Sequence, residues 1–333
     1  MTEYDRPHLS FAEQAEVLES RGLDCSGCDA PAALSRIGYY RLSAYTYPFR
    51  KTLEPGDDGE TPYQYRQPDF ELGYKLTDAL KLYEFDGSLR LLCMEALKTI
   101  EIGLRVHVAY VLGRRDRFGH LKIESLDQDA CGRLLPEGNT AFDAWTARYD
   151  SLKRQANSED FVRHYTLKYD GVLPIWVAVE VLDFGGVIRL YSLLNKADQN
   201  EVASYLGVKN AQSLRTWLLS LGVVRNTSAH HSRLWNRSLT YNIGSFNPSI
   251  VEPELRHLRA TLPNNKIYAP LAIMAYIITR IDPTTNWPRA LKTKVSQKFP
   301  GLEAITPENA MGFPSGWRDL DLWNYSPQKP GIK

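Results

Sequence analysis

A chain of 333 residues, 43% apolar and 24% charged, has the balance of an ordinary globular protein with one large core, or one core plus an appendage. A net charge of +1 says nothing about partners, so evidence for a polyanion has to come from local clustering. The longest apolar run, Tyr268 to Ile278, is far shorter than the ~20 residues that span a bilayer, and no leader pattern opens the chain; a cytoplasmic protein with no membrane partner is expected.

Ser10 followed by Glu13 has the form of a capping box and opens a short helix ending near Gly22. Cys25 and Cys28 have metal-ligand spacing, but no second pair or histidine partner follows, and structural zinc requires four ligands. With Cys93 and Cys131 they read as reduced thiols, and no metal or cofactor is expected. Asp29–Ala30–Pro31 starts a helix carrying Arg36, Ile37, Tyr39, Tyr40, Arg41, Tyr45 and Tyr47, which Pro48 ends. Aromatics interleaved with arginines can stack on bases and hold phosphates, so Arg36, Tyr40 and Arg41 are candidate RNA contacts. A tyrosine-rich packing face with exposed arginines explains the same pattern. Residues 51–69 are acidic and rich in Pro and Gly, and read as a loop.

The longest periodic segment runs from about Thr77 to Leu112, with Leu89, Cys93, Ala96, Ile100, Leu104 and Val111 on one stripe and Gly113 as a stop. Glu101 and Arg105 form an i, i+4 pair, and His107 falls on the apolar side as a core histidine. Further helices are expected from Thr140, from Ser158 to Gly171, from Pro174 to Leu194 with an interruption at Gly185–Gly186, and from an Asp198/Glu201 cap to Gly207. The Pro174–Leu194 helix is apolar nearly all round and reads as central. After Ser238, Pro248, Pro253 and Pro263 mark a loop-rich stretch, followed by helices over Ile267–Ile281 and Pro288–Lys298 and an irregular tail from Pro300. No stretch alternates with period two, so the class is all-α, with domains at 1–262 and 263–333, the latter a helical appendage.

Chemistry concentrates between Leu214 and Arg237, LRTWLLSLGVVRNTSAHHSRLWNR, read as a helix over about 213–237. At about 100° per residue, Trp217, Leu221, Val224, Ser228, His231 and Trp235 fall on one stripe. Asn226, His230, Arg233 and Arg237 form a nearly opposite one, with Arg225 between the two. On this phase His231 is buried and His230 faces out. Glu201 and Glu252 bracket fifty residues without a carboxylate, among them Lys209, Arg215, Arg225, Arg233 and Arg237, a ready site for a polyanion. Metal-free RNA cleavage needs a base for the ribose 2′-hydroxyl, a cation on the phosphate and an acid for the leaving oxygen. Histidine suits either proton role and arginine the phosphate, so Arg225 and His230 are the candidate catalytic pair. Asn226 is placed to fix the imidazole tautomer, and Arg233 and Arg237 to hold RNA. A basic surface patch on a core helix accounts equally for the six residues from Arg225 to His230.

The segments SFAEQAEVLESRGL, RIGYYRLSAYTYPFR, YEFDGSLRLLCMEALKTIEIGLR, LPIWVAVEVLDFGGVIRLYS and VRNTSAHHSRLWNR, in this order over residues 10–237, resemble the Abi-like (abortive infection) family of bacterial phage-defence proteins. That family's Arg–x4–His element marks the HEPN superfamily. The resemblance implies a HEPN-type helical bundle, here with extra N-terminal helices, and a metal-independent endoribonuclease with Arg225 and His230 on the motif and Asn226 at its frequent second position. It also implies a homodimer, because such nucleases assemble one site from two motifs. An RNA or protein antitoxin, or a regulatory RNA, is expected to restrain the activity. The alternative is a non-catalytic RNA-binding or toxin–antitoxin scaffold of the same fold.

Overall fold

A computed structural model describes residues 7–54, 65–239, 243, 251–261 and 265–328. Pro248, Pro263 and residues 55–64 of the expected loop lie outside them. The protein is predominantly helical, as its periodicity requires, and divides into two compact units: Met1–Leu89 with Lys294–Thr306, and Arg90–Thr293 with Pro307–Lys333.

In the first unit, α1 (Phe11–Ser20) starts on the expected capping box: the Ser10 hydroxyl accepts from the Glu13 N–H, and the Glu13 carboxylate accepts from the Ser10 N–H. It packs against α2 (Ala30–Ile37), whose Asp29 cap accepts from the Ala32 N–H. The tyrosine-rich stretch is not one helix. Gly38, at φ 87°, ends α2, and the chain restarts as α3 (Tyr39–Thr46); a side chain is disfavoured at this φ. Two ends of the expected 51–69 loop pair as a short antiparallel sheet, β1 (Arg50–Thr52) with β2 (Arg66–Phe70), so the class carries a small β element that eight residues of weak alternation did not announce. Tyr45 donates to the buried Asp86 carboxylate at 2.7 Å. Burial pushes the Cys25 thiol up to about 11, and the described residues hold no group of three or more potential metal ligands.

The second unit is organised around the C-terminal part of α4 (Leu76–Gly113), where Cys93, Ala96, Leu97, Ile100, Leu104, Val108 and Leu112 are all buried. Each fully buried leucine of this kind contributes roughly 1.5–3 kcal/mol. Short α5 (Gln128–Gly132) leads to α6 (Ala141–Gln155), opened by a Thr140/Asp143 capping box, and α7 (Asp160–Lys168). The expected Pro174–Leu194 helix is two pieces, α8 (Ile175–Ala178) and α9 (Phe184–Leu193). The break falls at Leu182–Asp183 rather than at the glycines, because the Asp183 side chain caps α9 by accepting from the Gly186 N–H. In α10 (Lys196–Tyr205) the cap is Asn195, not Asp198. Asp198 is instead buried and paired with Arg115.

Helix α11 (Ala211–Ala229) packs against α9, α10 and α12 (Tyr268–Ile281). Every residue of α12 from Tyr268 to Thr279 is buried, so its largely apolar sequence marks an interior helix. After α13 (Trp287–Lys298), the irregular tail brings Phe313 and Trp323 onto the Tyr268 ring, and Trp317 and Trp323 are fully buried. Among the described residues no helix is long and apolar enough to cross a membrane.

Candidate active site

The motif helix starts on Asn210, whose side chain accepts from the Ser213 N–H, and buries Leu214, Trp217, Leu218, Leu221 and Val224 as its phase predicts. It stops eight residues early. The Ser232 N–H reaches the Thr227 carbonyl, and the His231 N–H reaches that of Ser228, the two bonds of a Schellman motif. His230 is therefore the C-cap and His231 takes the left-handed position after it, at φ 54°, where glycine is usual.

This end overturns the helical wheel beyond residue 229. His231 is exposed rather than buried, because its backbone has turned out of the helix before its side chain can join the Trp217 stripe. Trp235 is buried all the same, carried inward by the segment after the turn. The Arg90 guanidinium donates to the Ser232 carbonyl at 3.4 Å and tethers that segment. Both His231→Gly and His231→Ala delete the side chain, so only the backbone preference separates them. The glycine variant is expected to be more stable by about 1 kcal/mol in urea melts; equal midpoints would remove His231 from the left-handed position.

Asn226 and His230 are exposed on the last turn, whereas Arg225 is half-buried and acts electrostatically on Glu101 of α4. There the Glu101 carboxylate accepts from Arg105, which also donates to the Leu182 carbonyl. Burial pushes the Glu101 carboxyl up. The Arg105 and then the Arg225 guanidinium oppose that rise, which places Arg225 within electrostatic reach of the pair. The Arg225 Nε is buried with no hydrogen-bond partner. The Glu101–Arg105 pair is the intrahelical i, i+4 bridge its spacing predicts but not a solvated one: its side chains are 15% and 18% exposed.

The carboxylate-free stretch is less cationic in space than in sequence. Lys209 pairs with Glu252 at 3.1 Å, and Arg215 donates to the Ser192 hydroxyl. Arg233 and Arg237 sit on the turn-rich segment after α11 rather than on its polar face. Arg233 lies near Lys266, whose ammonium is pushed down by burial and by that guanidinium. The electrostatic links of Lys266 to Arg233 and of Glu101 to Arg225 are ones that spacing along the chain had no means to find. Arg36, Tyr40 and Arg41 are exposed, Tyr40 to 91%, and belong to the first unit, the motif residues to the second. His107, half-buried, stacks on Tyr205, and burial pushes its imidazole down, as suits a packing histidine.

Residues 32–236 match the family described as Abi-like protein. The chain belongs to the Abi-like family. No curated protein and no solved structure matches it. The Abi-like region runs from within α2 to Asn236, so it takes in Arg225, Asn226, His230 and the Schellman turn, and ends one residue before Arg237. Helix α12, which packs against the motif helix, lies outside it. Membership in this Abi-like family points to abortive-infection phage defence.

Proposed function

We propose that this Abi-like protein is a metal-independent endoribonuclease of HEPN type that damages host or phage RNA during infection. What supports the reading above all is the grouping of Arg225, Asn226 and His230 on the last two turns of α11, with Asn226 and His230 open to solvent. His230 takes the proton from a ribose 2′-hydroxyl, whose oxygen attacks the adjacent phosphorus. The Arg225 guanidinium holds the phosphate oxygens, and Asn226 orients the imidazole. The 5′-oxygen of the next nucleotide leaves, taking its proton from a second histidine, and a 2′,3′-cyclic phosphate remains. Arg233, Arg237 and Lys266 extend the cationic surface along the backbone of the RNA.

Five residues of helix turn His230 about 140° from Arg225. The site is therefore a composite of two copies, each supplying one motif. An RNA or protein antitoxin, or a regulatory RNA, restrains it. A second reading, an RNA-binding scaffold without catalysis, draws support from the Glu101 carboxylate that already engages the Arg225 charge.

Purified protein incubated with a mixed RNA pool in excess EDTA is expected to yield fragments with 2′,3′-cyclic or 3′-phosphate ends. Loss of cleavage in EDTA with recovery in Mg²⁺ sinks the mechanism. RNA bound in a salt-dependent manner but never cut selects the scaffold.

A further inference from the structure

Arginines and tyrosines gather beside the two-stranded sheet of the first unit. Arg21, the C-cap of α1, accepts from the Phe70 N–H with its carbonyl at 2.8 Å, and its guanidinium donates to the Tyr39 hydroxyl at 3.3 Å. Arg50 opens β1 as the Cα partner of the same Phe70. Its guanidinium carbon lies 5.7 Å from the centres of both the Tyr47 and the Phe70 rings, and Arg66 donates to its carbonyl. The Arg50 Nε is buried with no hydrogen-bond partner. Burial pushes the Arg50 guanidinium down, the Tyr39 hydroxyl opposes that fall and the Arg21 charge adds to it; no carboxylate is among the groups that act on it. An arginine stays charged in such a setting, so two half-buried cations stand together here with nothing of opposite sign between them. The hydroxyl of Tyr47 accepts from the Tyr65 N–H at 3.2 Å, and its own O–H, like that of Tyr39, is left to donate. The Tyr65 side chain that follows is 66% exposed.

We propose that this cluster is a binding site for a nucleoside 5′-monophosphate, free or as the 5′ end of an RNA, with the phosphate on Arg21 and Arg50. The inference uses no residue of the Arg225/His230 motif and does not rest on the nuclease reading. Two guanidiniums and two hydroxyls, all placed to donate, are the complement of a tetrahedral oxyanion. A terminal phosphate carries nearly two negative charges, so it answers both arginines, whereas a phosphodiester within a chain carries one. Arg50 is held against the Tyr47 and Phe70 rings before any ligand arrives, so binding costs little of its rotamer freedom. The Tyr65 ring, next along from the phosphate donors, supplies a face on which the base stacks. A small molecule or strand end therefore finds its charge and its base recognised by one unit of the protein.

Calorimetric titration of the full chain with adenosine 5′-monophosphate, adenosine and inorganic phosphate tests the site without reference to cleavage. The monophosphate is expected to bind and adenosine to fail. Arg21→Gln and Arg50→Gln should each weaken the monophosphate about tenfold or more. Arg21 makes one side-chain hydrogen bond, to Tyr39, so its variant carries the test if Arg50→Gln lowers the melting temperature. Tyr65→Ala should weaken the monophosphate by a similar factor and leave inorganic phosphate unchanged. Short 2′-O-methyl RNAs, which have no 2′-hydroxyl to attack, distinguish the two sources. A preference of about tenfold for a 5′-phosphate over a 5′-hydroxyl end, lost in Arg21→Gln, assigns the site to an RNA end. Monophosphate binding without that preference assigns it to a free nucleotide. Equal affinity for the monophosphate and adenosine, no binding of either, or affinity that survives both glutamine variants overturns the proposal. Monophosphate affinity unchanged in Tyr65→Ala overturns the nucleoside assignment and leaves a bare oxyanion site.

Discussion

Arg225→Ala and His230→Ala are each expected to lower RNA cleavage by about 10²–10⁴-fold, the size of one lost general acid–base group or one lost oxyanion contact. The two differ in what else they disturb. His230 is an exposed C-cap whose structural contribution is its backbone N–H, which alanine keeps, so its melting temperature should stay within a degree or two of wild type. Arg225 is half-buried, and its loss removes a guanidinium within electrostatic reach of Glu101, at a cost of up to about 1 kcal/mol. Arg225→Lys restores the charge but not the planar fork, and should recover stability without recovering most of the rate. Equal RNA affinity with cleavage lost assigns the residues to chemistry. Cleavage that survives either alanine variant removes that residue from the site.

Acidification should unfold the protein partly through His120. Its ring is fully buried, neither nitrogen has a hydrogen-bond partner, and it lies edge-on to Tyr149, whose hydroxyl is likewise unpartnered. Burial pushes the imidazole down to about 4 against an ordinary 6.5, with the Asp116 carboxylate opposing. The unfolded chain binds this proton below pH 6.5 and the fold does not, so stability present above that pH is lost as pH falls toward about 4. The loss amounts to about 3 kcal/mol. His120→Phe fills similar volume without titrating. It should match wild type near pH 8 and lose less between pH 6.5 and 4 in urea denaturation, and parallel pH profiles would remove His120 from the acid limb. Glu101 and Asp198, whose carboxyls burial pushes up, contribute with the opposite sign and cancel in the comparison.

Local chemistry was legible at several points where the chain itself supplies the partner, though not at the Asp183 and Asn195 caps. The Ser10/Glu13 box, the helix starts at Asp29 and Thr140, the α4 stripe and the apolar α12 all follow from residues close along the chain, and the structure builds each of them. The motif residues were likewise named from order along the chain, and Arg225, Asn226 and His230 do share one helix end. Only tertiary structure decided where that helix stops. A 3.6-residue pattern continues through His231 and Trp235 in the sequence, but the Arg90 tether and the burial of Leu234 and Trp235 pull the backbone out at Ala229, which exposes His231. Likewise Glu101 gives no sign along the chain that it meets Arg225, over a hundred residues away, nor Asp198 that it answers Arg115 rather than capping a helix. Periodicity reports the face a residue presents within its own element, whereas charge neighbours and helix ends depend on which other elements are packed there.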